Sequence, residues 1–209
     1  MEKVKLSENR LLLKFPSRKE MTLTMFRFSE FSEGKKGIRG EHFTFDEFVD
    51  MYSDEKGDID FFSGWDGFNL SINTINKFLT KFTWSEITKR ESKVLEAIIG
   101  MPDSGYIITC VNGDELTVKH ELCHAKYHEI QDYRRKVLSI LYSLPQSLRD
   151  DFRESLKVLG YIDSLIDDEM QAYIIAYDEK EHNEYFPNIS YEEIKDYKEK
   201  LDNLFEEYI

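Results

Sequence analysis

The 209-residue sequence predicts an α+β fold, with strands gathered toward the front and helices behind. Three observations predict it. "GYIITCV", Gly105 to Val111, is a β-branched and aromatic run closed by Asn112-Gly113, the strongest strand candidate in the chain. Beyond Pro145 the apolar spacing is helical throughout. It ends with Ser190 and Glu193 placed as a capping box ahead of a stripe of Ile194, Tyr197, Leu201, Leu204, Phe205 and Tyr208. Between these regions, "TVKHELCHAKYHEIQ" (Thr117 to Gln131) carries three of the five histidines at four-residue spacing.

The bulk composition narrows the function. Hydrophobic residues at 41% and aromatics at 14% are too abundant for disorder, and 33% charged residues give a well-solvated surface. A net charge of -13 disfavours nucleic acid and acidic membranes, because phosphate binding draws on clustered Lys and Arg, and "YRRK" (Tyr133 to Lys136) is only a short exception. Two cysteines, Cys110 and Cys123, do not make a disulfide framework, so a reducing compartment is the simpler reading. The opening "MEKVKLSENRLLLKF" has a short leucine run before Lys14, well below a signal-peptide core, and a cytoplasmic location is expected. With no repeat or Pro/Gly/Ser-rich linker, one domain is expected over 1–209. Its β-leaning part spans 1–113, and its helical part, 114–209, carries the candidate site.

Taken in order, "MTLTMFRF" (Met21 to Phe28) alternates apolar residues and threonines before a phase shift at Met25-Phe26, which predicts a strand with a bulge. "FTFDEFVDMY" predicts a short helix with Thr44 and Glu47 as a capping box and Phe43 and Phe48 as a staple. The aromatic, Gly-punctuated "IDFFSGWDGFNLS" reads as a structured loop. Ile72, Ile75, Phe78, Leu79 and Phe82 mark a helix, and Thr83 with Glu86 caps a second one that stops at Gly100. After Asn112-Gly113 the favoured reading is a helix capped by Asp114 and running through the histidines toward Pro145, against a hairpin returning through "DELTV". Later helices follow at "QSLRDDFRESLKVLG" and, from Ser164, at "SLIDDEMQAYIIAY".

The histidine segment carries the chemistry. Residues four apart on a helix are offset by about 40° and about 6 Å along the axis, so His120 and His124 project side by side and can grip one ion, for which zinc is the fitting choice. Glu121 lies about 100° around the helix, where it does not ligate but can take a proton from a metal-activated water. His128 sits about 12 Å along the axis from His120, too far for all three to share one ion, and is assigned a structural or supporting role. Cys123 lies on another face and reads as a buried small apolar residue.

"HELCH" resembles the His-Glu-x-x-His helix of the zincin metallopeptidases. The metzincins place a glycine turn and a third histidine soon after this motif, but "HAKYHEIQ" contains no glycine, so the resemblance is to the gluzincin type, which takes a third ligand from a glutamate on a later helix. It covers about Tyr106 to Tyr177. That likeness implies Glu169, in "DDEMQAYIIAY", as the third zinc ligand, with Ala172 and Tyr173 on its face; Asp167 and Asp168 are the rivals. It also implies a small mixed or antiparallel sheet whose edge strand, Tyr106 to Val111, lies beside the His-Glu-x-x-His helix and holds a peptide or protein substrate by strand addition. Glu121 then serves as general base and acid, and Tyr173, Tyr177 and His182 are candidates for stabilising the oxyanion. The expected function is a zinc-dependent peptide hydrolase. Two other readings stay open: a catalytically inert peptide-binding or regulatory module on the same site, and a helical interaction protein in which "HELCH" is accidental.

Overall fold

Two separate apolar cores organise the chain, one in Met1–Asp114 and one in Glu115–Ile209. The computed structural model describes residues 1–34, 37–53 and 66–208. Its division into two units falls beside Asn112-Gly113, where the β-leaning part of the sequence ends. The architecture is mixed α and β. Among the described residues no helix is long and apolar enough to cross a membrane.

The first unit is built on a four-stranded sheet. Strands β1 (Glu2–Lys5) and β2 (Arg10–Phe15) pair antiparallel, β2 runs parallel to β4 (Tyr106–Val111), and β3 (Phe68–Ser71) closes the other side of β4 antiparallel, in the order β1-β2-β4-β3. The expectation that Tyr106 to Val111 forms a sheet edge is therefore corrected. Its backbone is paired on both sides, with Ile108 opposite Leu12 on β2 and Asn69 on β3. The physical reason is visible in the residues themselves: an unbroken apolar run is what a strand buried on both faces requires, and Tyr106 through Cys110 are all buried. Of the loop expected over "IDFFSGWDGFNLS", residues 59–65 lie outside the described residues, and Phe68–Ser71 is strand.

Met21 to Phe28 is also corrected, from bulged strand to the middle of helix α1 (Arg18–Glu33). Ser17 caps it by accepting from the Glu20 N–H, and Met21, Met25 and Phe28, spaced by four and three, are fully buried. The threonines that suggested a period of two are buried as well, and the Thr24 hydroxyl bonds back to the Glu20 carbonyl at 2.6 Å, as a helical threonine can. Helix α2 (Phe45–Tyr52) forms with the Thr44/Glu47 capping box in place, and α3 (Ile72–Lys81) follows directly from β3. The Thr83/Glu86 box starts only a 3-10 turn, Trp84–Glu86; a second box, Thr88 with Glu91, starts α4 (Lys89–Ala97).

The second unit is helical: α5 (Glu115–Glu129), α6 (Gln131–Leu141), α7 (Gln146–Val158), α8 (Ile166–Ala176), α9 (Glu179–Tyr185) and α10 (Tyr191–Glu207). Gly113, at φ +85°, turns the chain into α5, so the helix and not the hairpin follows β4. The helix does not continue to Pro145. Ile130, at φ -114° and ψ 96°, breaks it after Glu129. Likewise α8 starts at Ile166 instead of at Ser164, and α10 starts after Ser190 with no side-chain cap, so the Ser190/Glu193 box is not formed.

The first core is dominated by phenylalanine. Phe78 stacks on Phe82 at 4.1 Å and meets the rings of Phe28 and Phe31 at 4.7 and 5.6 Å, with no exposed surface. Phe78→Ala is expected to cost about 3–5 kcal/mol, read in urea as a lower midpoint with an unchanged slope.

Candidate metal centre

The site is assembled by two helices that pack along one another, α5 and α8. Ala125 and Ala172 are fully buried, and small residues of this kind let helix backbones approach closely. His120 and His124 leave α5 one turn apart, and Glu169 comes from the first turn of α8. All three are buried, and one donor atom from each lies within 4.8 Å of the others.

The two imidazoles face each other through Nε2, 3.1 Å apart. Glu169 places Oε1 3.6 Å from His124 Nε2 and Oε2 3.7 Å from His120 Nε2. Two donors each about 2.0–2.1 Å from a tetrahedral zinc lie roughly 3.3–3.4 Å apart, so these separations straddle what one ion requires. The donor set fits as well: two imidazoles and a carboxylate are a recurring catalytic zinc shell that leaves a position open. A further observation points to a missing partner. Glu169 Oε2 is buried without a hydrogen bond, and so is His120 Nδ1; a buried acceptor left this way costs about 1–3 kcal/mol, and more when charged.

Asp168 takes a different part from the one considered for it in the sequence. Its Oδ1 lies 3.0 Å from His124 Nδ1 and its Oδ2 2.9 Å from His128 Nε2. Gln171 Nε2 donates to Oδ1 at 3.1 Å, and Tyr133 donates its hydroxyl to Gln171 Oε1 at 3.1 Å. A carboxylate on Nδ1 holds the proton there, so that Nε2 would be the nitrogen left to face a cation, and a better donor to it. Burial alone would lower the His124 pKa, but the charges of Asp168 and Glu169 outweigh it and raise it. Burial would likewise raise the Asp168 carboxyl, yet the His124 and His128 imidazoles hold it below the usual carboxylate range. Asp167, the other rival, accepts instead from the Tyr142 hydroxyl at 2.9 Å.

Glu121 is buried on α5, and its charge is felt at both His124 and Tyr161. It does not belong to the converging donor set, as a proton carrier need not. Beside His120 stands an aromatic wall: Tyr173 meets its ring edge-on at 4.9 Å, Tyr177 stacks at 5.7 Å, and Tyr185 packs on both tyrosines. Tyr161 joins through its hydroxyl, 3.3 Å from that of Tyr173, and burial, with Glu169 nearby, drives its pKa far up, so it stays a neutral phenol.

His182 is set elsewhere. Its Nε2 donates to the Ile189 carbonyl at 3.0 Å, and its ring packs among Phe152, Phe186 and Tyr191, so it is removed from the oxyanion candidates. Cys123 is fully buried in the apolar core, where burial pushes its thiol up and keeps it protonated. Sequence reasoning missed Gln171, whose i,i+3 spacing from Asp168 was a usable signal. It also missed Tyr161, which follows Gly160 between helices and has no periodic pattern to expose it.

Zinc supplied at about 100 times its dissociation constant is expected to stabilise the protein by about 2.7 kcal/mol, read as a concentration-dependent rise in melting temperature that Glu169→Ala abolishes. A melting temperature indifferent to zinc would count against the centre. Compared with the models of known protein families, with curated proteins and with solved structures, the chain matches none, so the geometry of α5 and α8 carries the functional reading.

Proposed function

We propose that this protein is a zinc-dependent hydrolase, a metallopeptidase acting on a peptide or protein, with His120, His124 and Glu169 as metal ligands and Glu121 as general base and acid. One observation carries the reading: two imidazoles and a carboxylate from separate helices converge, buried, on one point, with Glu169 Oε2 lacking a hydrogen bond. A chance "HELCH" gives no reason for a distant glutamate to fold back onto the pair.

When bound, a zinc ion would supply a Lewis acid that polarises a carbonyl and acidifies a water. The chain's own residues do the rest. Glu121 takes the proton of the attacking water on its carboxylate and returns it to the departing amine. Asp168 holds the proton on His124 Nδ1 throughout, keeping Nε2 turned inward. Tyr173 and Tyr177 cover His120 and keep bulk water off that side, and they remain the candidates for an oxyanion donor.

The mode of substrate capture changes. Strand addition along Tyr106–Val111 is excluded by the pairing of β4 with both β2 and β3. That pairing also removes the surface on which the inert peptide-binding alternative relied. The two buried thiols, Cys110 and Cys123, support a reducing, cytoplasmic setting.

Glu121→Gln is expected to keep zinc bound one to one while turnover of a broad peptide library falls by about 10²–10⁴-fold. Zinc-loaded wild type that cleaves nothing in such a library, or a variant as active as wild type, overturns the peptidase reading.

A further inference from the structure

His128 is half-exposed, with 45% of its side-chain surface in solvent, yet its Nε2 reaches 2.9 Å from the buried Oδ2 of Asp168. One turn earlier on the same face of α5, His124 Nδ1 meets the other oxygen of that carboxylate at 3.0 Å. Gln171, fully buried, adds its amide N–H to Oδ1 at 3.1 Å and is itself held by the Tyr133 hydroxyl. Asp168 is thus gripped on both oxygens and from two helices. A carboxylate held only at Oδ1 is free to rotate about its terminal torsion, which is broad for Asp. An N–H on Oδ2 removes that freedom, and with it the freedom of the His124 ring.

We propose that His128 is a positioning residue of the metal centre: from the solvent side it pins Asp168, which in turn fixes His124 so that its Nε2 points at the site shared with His120 and Glu169. His128 is not a ligand, and the inference rests on the zinc reading above. The third histidine of the four-residue series then has a use that the reach of one ion denies it.

The test uses the full chain, with zinc as one probe and Co(II) as the other. His128→Ala is expected to weaken zinc about 10- to 100-fold in chelator competition, the loss typical when a ligand's hydrogen-bonding partner is disturbed. It is also expected to shift the visible absorption of the Co(II)-loaded protein. His128→Gln, which keeps an N–H at similar reach, is expected to restore most of the affinity and the wild-type spectrum. The side chain is half in solvent, so the circular dichroism of the metal-free variants should match wild type, while the melting temperature of His128→Ala should fall because Asp168 Oδ2 has lost its partner, and His128→Gln should recover it. Unchanged zinc affinity and an unchanged Co(II) spectrum in His128→Ala, or a His128→Gln no better than alanine, overturns the positioning role while leaving the metal centre standing. A wild type that binds neither ion removes the centre itself, and the positioning role with it.

Discussion

Putting His120, His124, Asp168 and Glu169 together in the apolar interior between α5 and α8 is the costly act on which the second unit turns, because each charge taken from water must recover its solvation from a neighbour. Asp168 recovers it fully, from two imidazoles and an amide. Glu169 does not: its Oε2 has only the distant Nε2 of His120 at 3.7 Å. A cation at the shared point would satisfy the carboxylate and separate the two imidazole nitrogens that otherwise face each other. Under the proposed zinc reading, this asymmetry makes Asp168 the supporting carboxylate and Glu169 the coordinating one.

Such a site needs rigid walls, and lysine contacts between α10 and the two site helices supply them. Lys198 donates to the Ile174 and Ile175 carbonyls, both at 2.9 Å, closing the C-terminal end of α8 where the helix dipole favours positive charge. Lys126 of α5 is almost fully buried; it donates to the Phe205 carbonyl at 2.7 Å and lies 3.3 Å over the Phe205 ring. Asp202 links Lys119 on α5, at 3.0 Å, with Lys198, at 3.2 Å. Burial pushes the Lys198 pKa down, and Asp202 opposes that. Both site helices are therefore tied to α10, and Glu169 faces the histidines because of those ties as well as its own sequence context.

Two of the misread elements of the first unit share a cause. Met21 to Phe28 has the residue types of a strand, and β4 has the residue types of any strand, edge or centre. Local pattern cannot report what packs on the second face. In α1 the threonines are buried along with the methionines and phenylalanines, so the apparent alternation carries no polar side. In β4 the partners that remove its edges come from residues 10–15 and 68–71, far away in sequence, and loop closure over such distances leaves no local trace.

Determined by the sequence alone were the features that live within one or two helical turns: the capping box of α2, the apolar spacing of α3, the apolar stripe of α10, and His120 beside His124 with Glu121 turned away. These follow from the 3.6-residue period and from short-range hydrogen bonding, which need no tertiary partner. Glu169 was legible only through a family likeness, and its neighbour Asp168 was weighed for the wrong task. Only the tertiary structure decided between them, because which of two consecutive carboxylates meets Nε2 and which meets Nδ1 depends on how α8 is rotated against α5. That rotation is set by the packing of α5 on α8 through Ala172 and the core around it, a property of both helices at once.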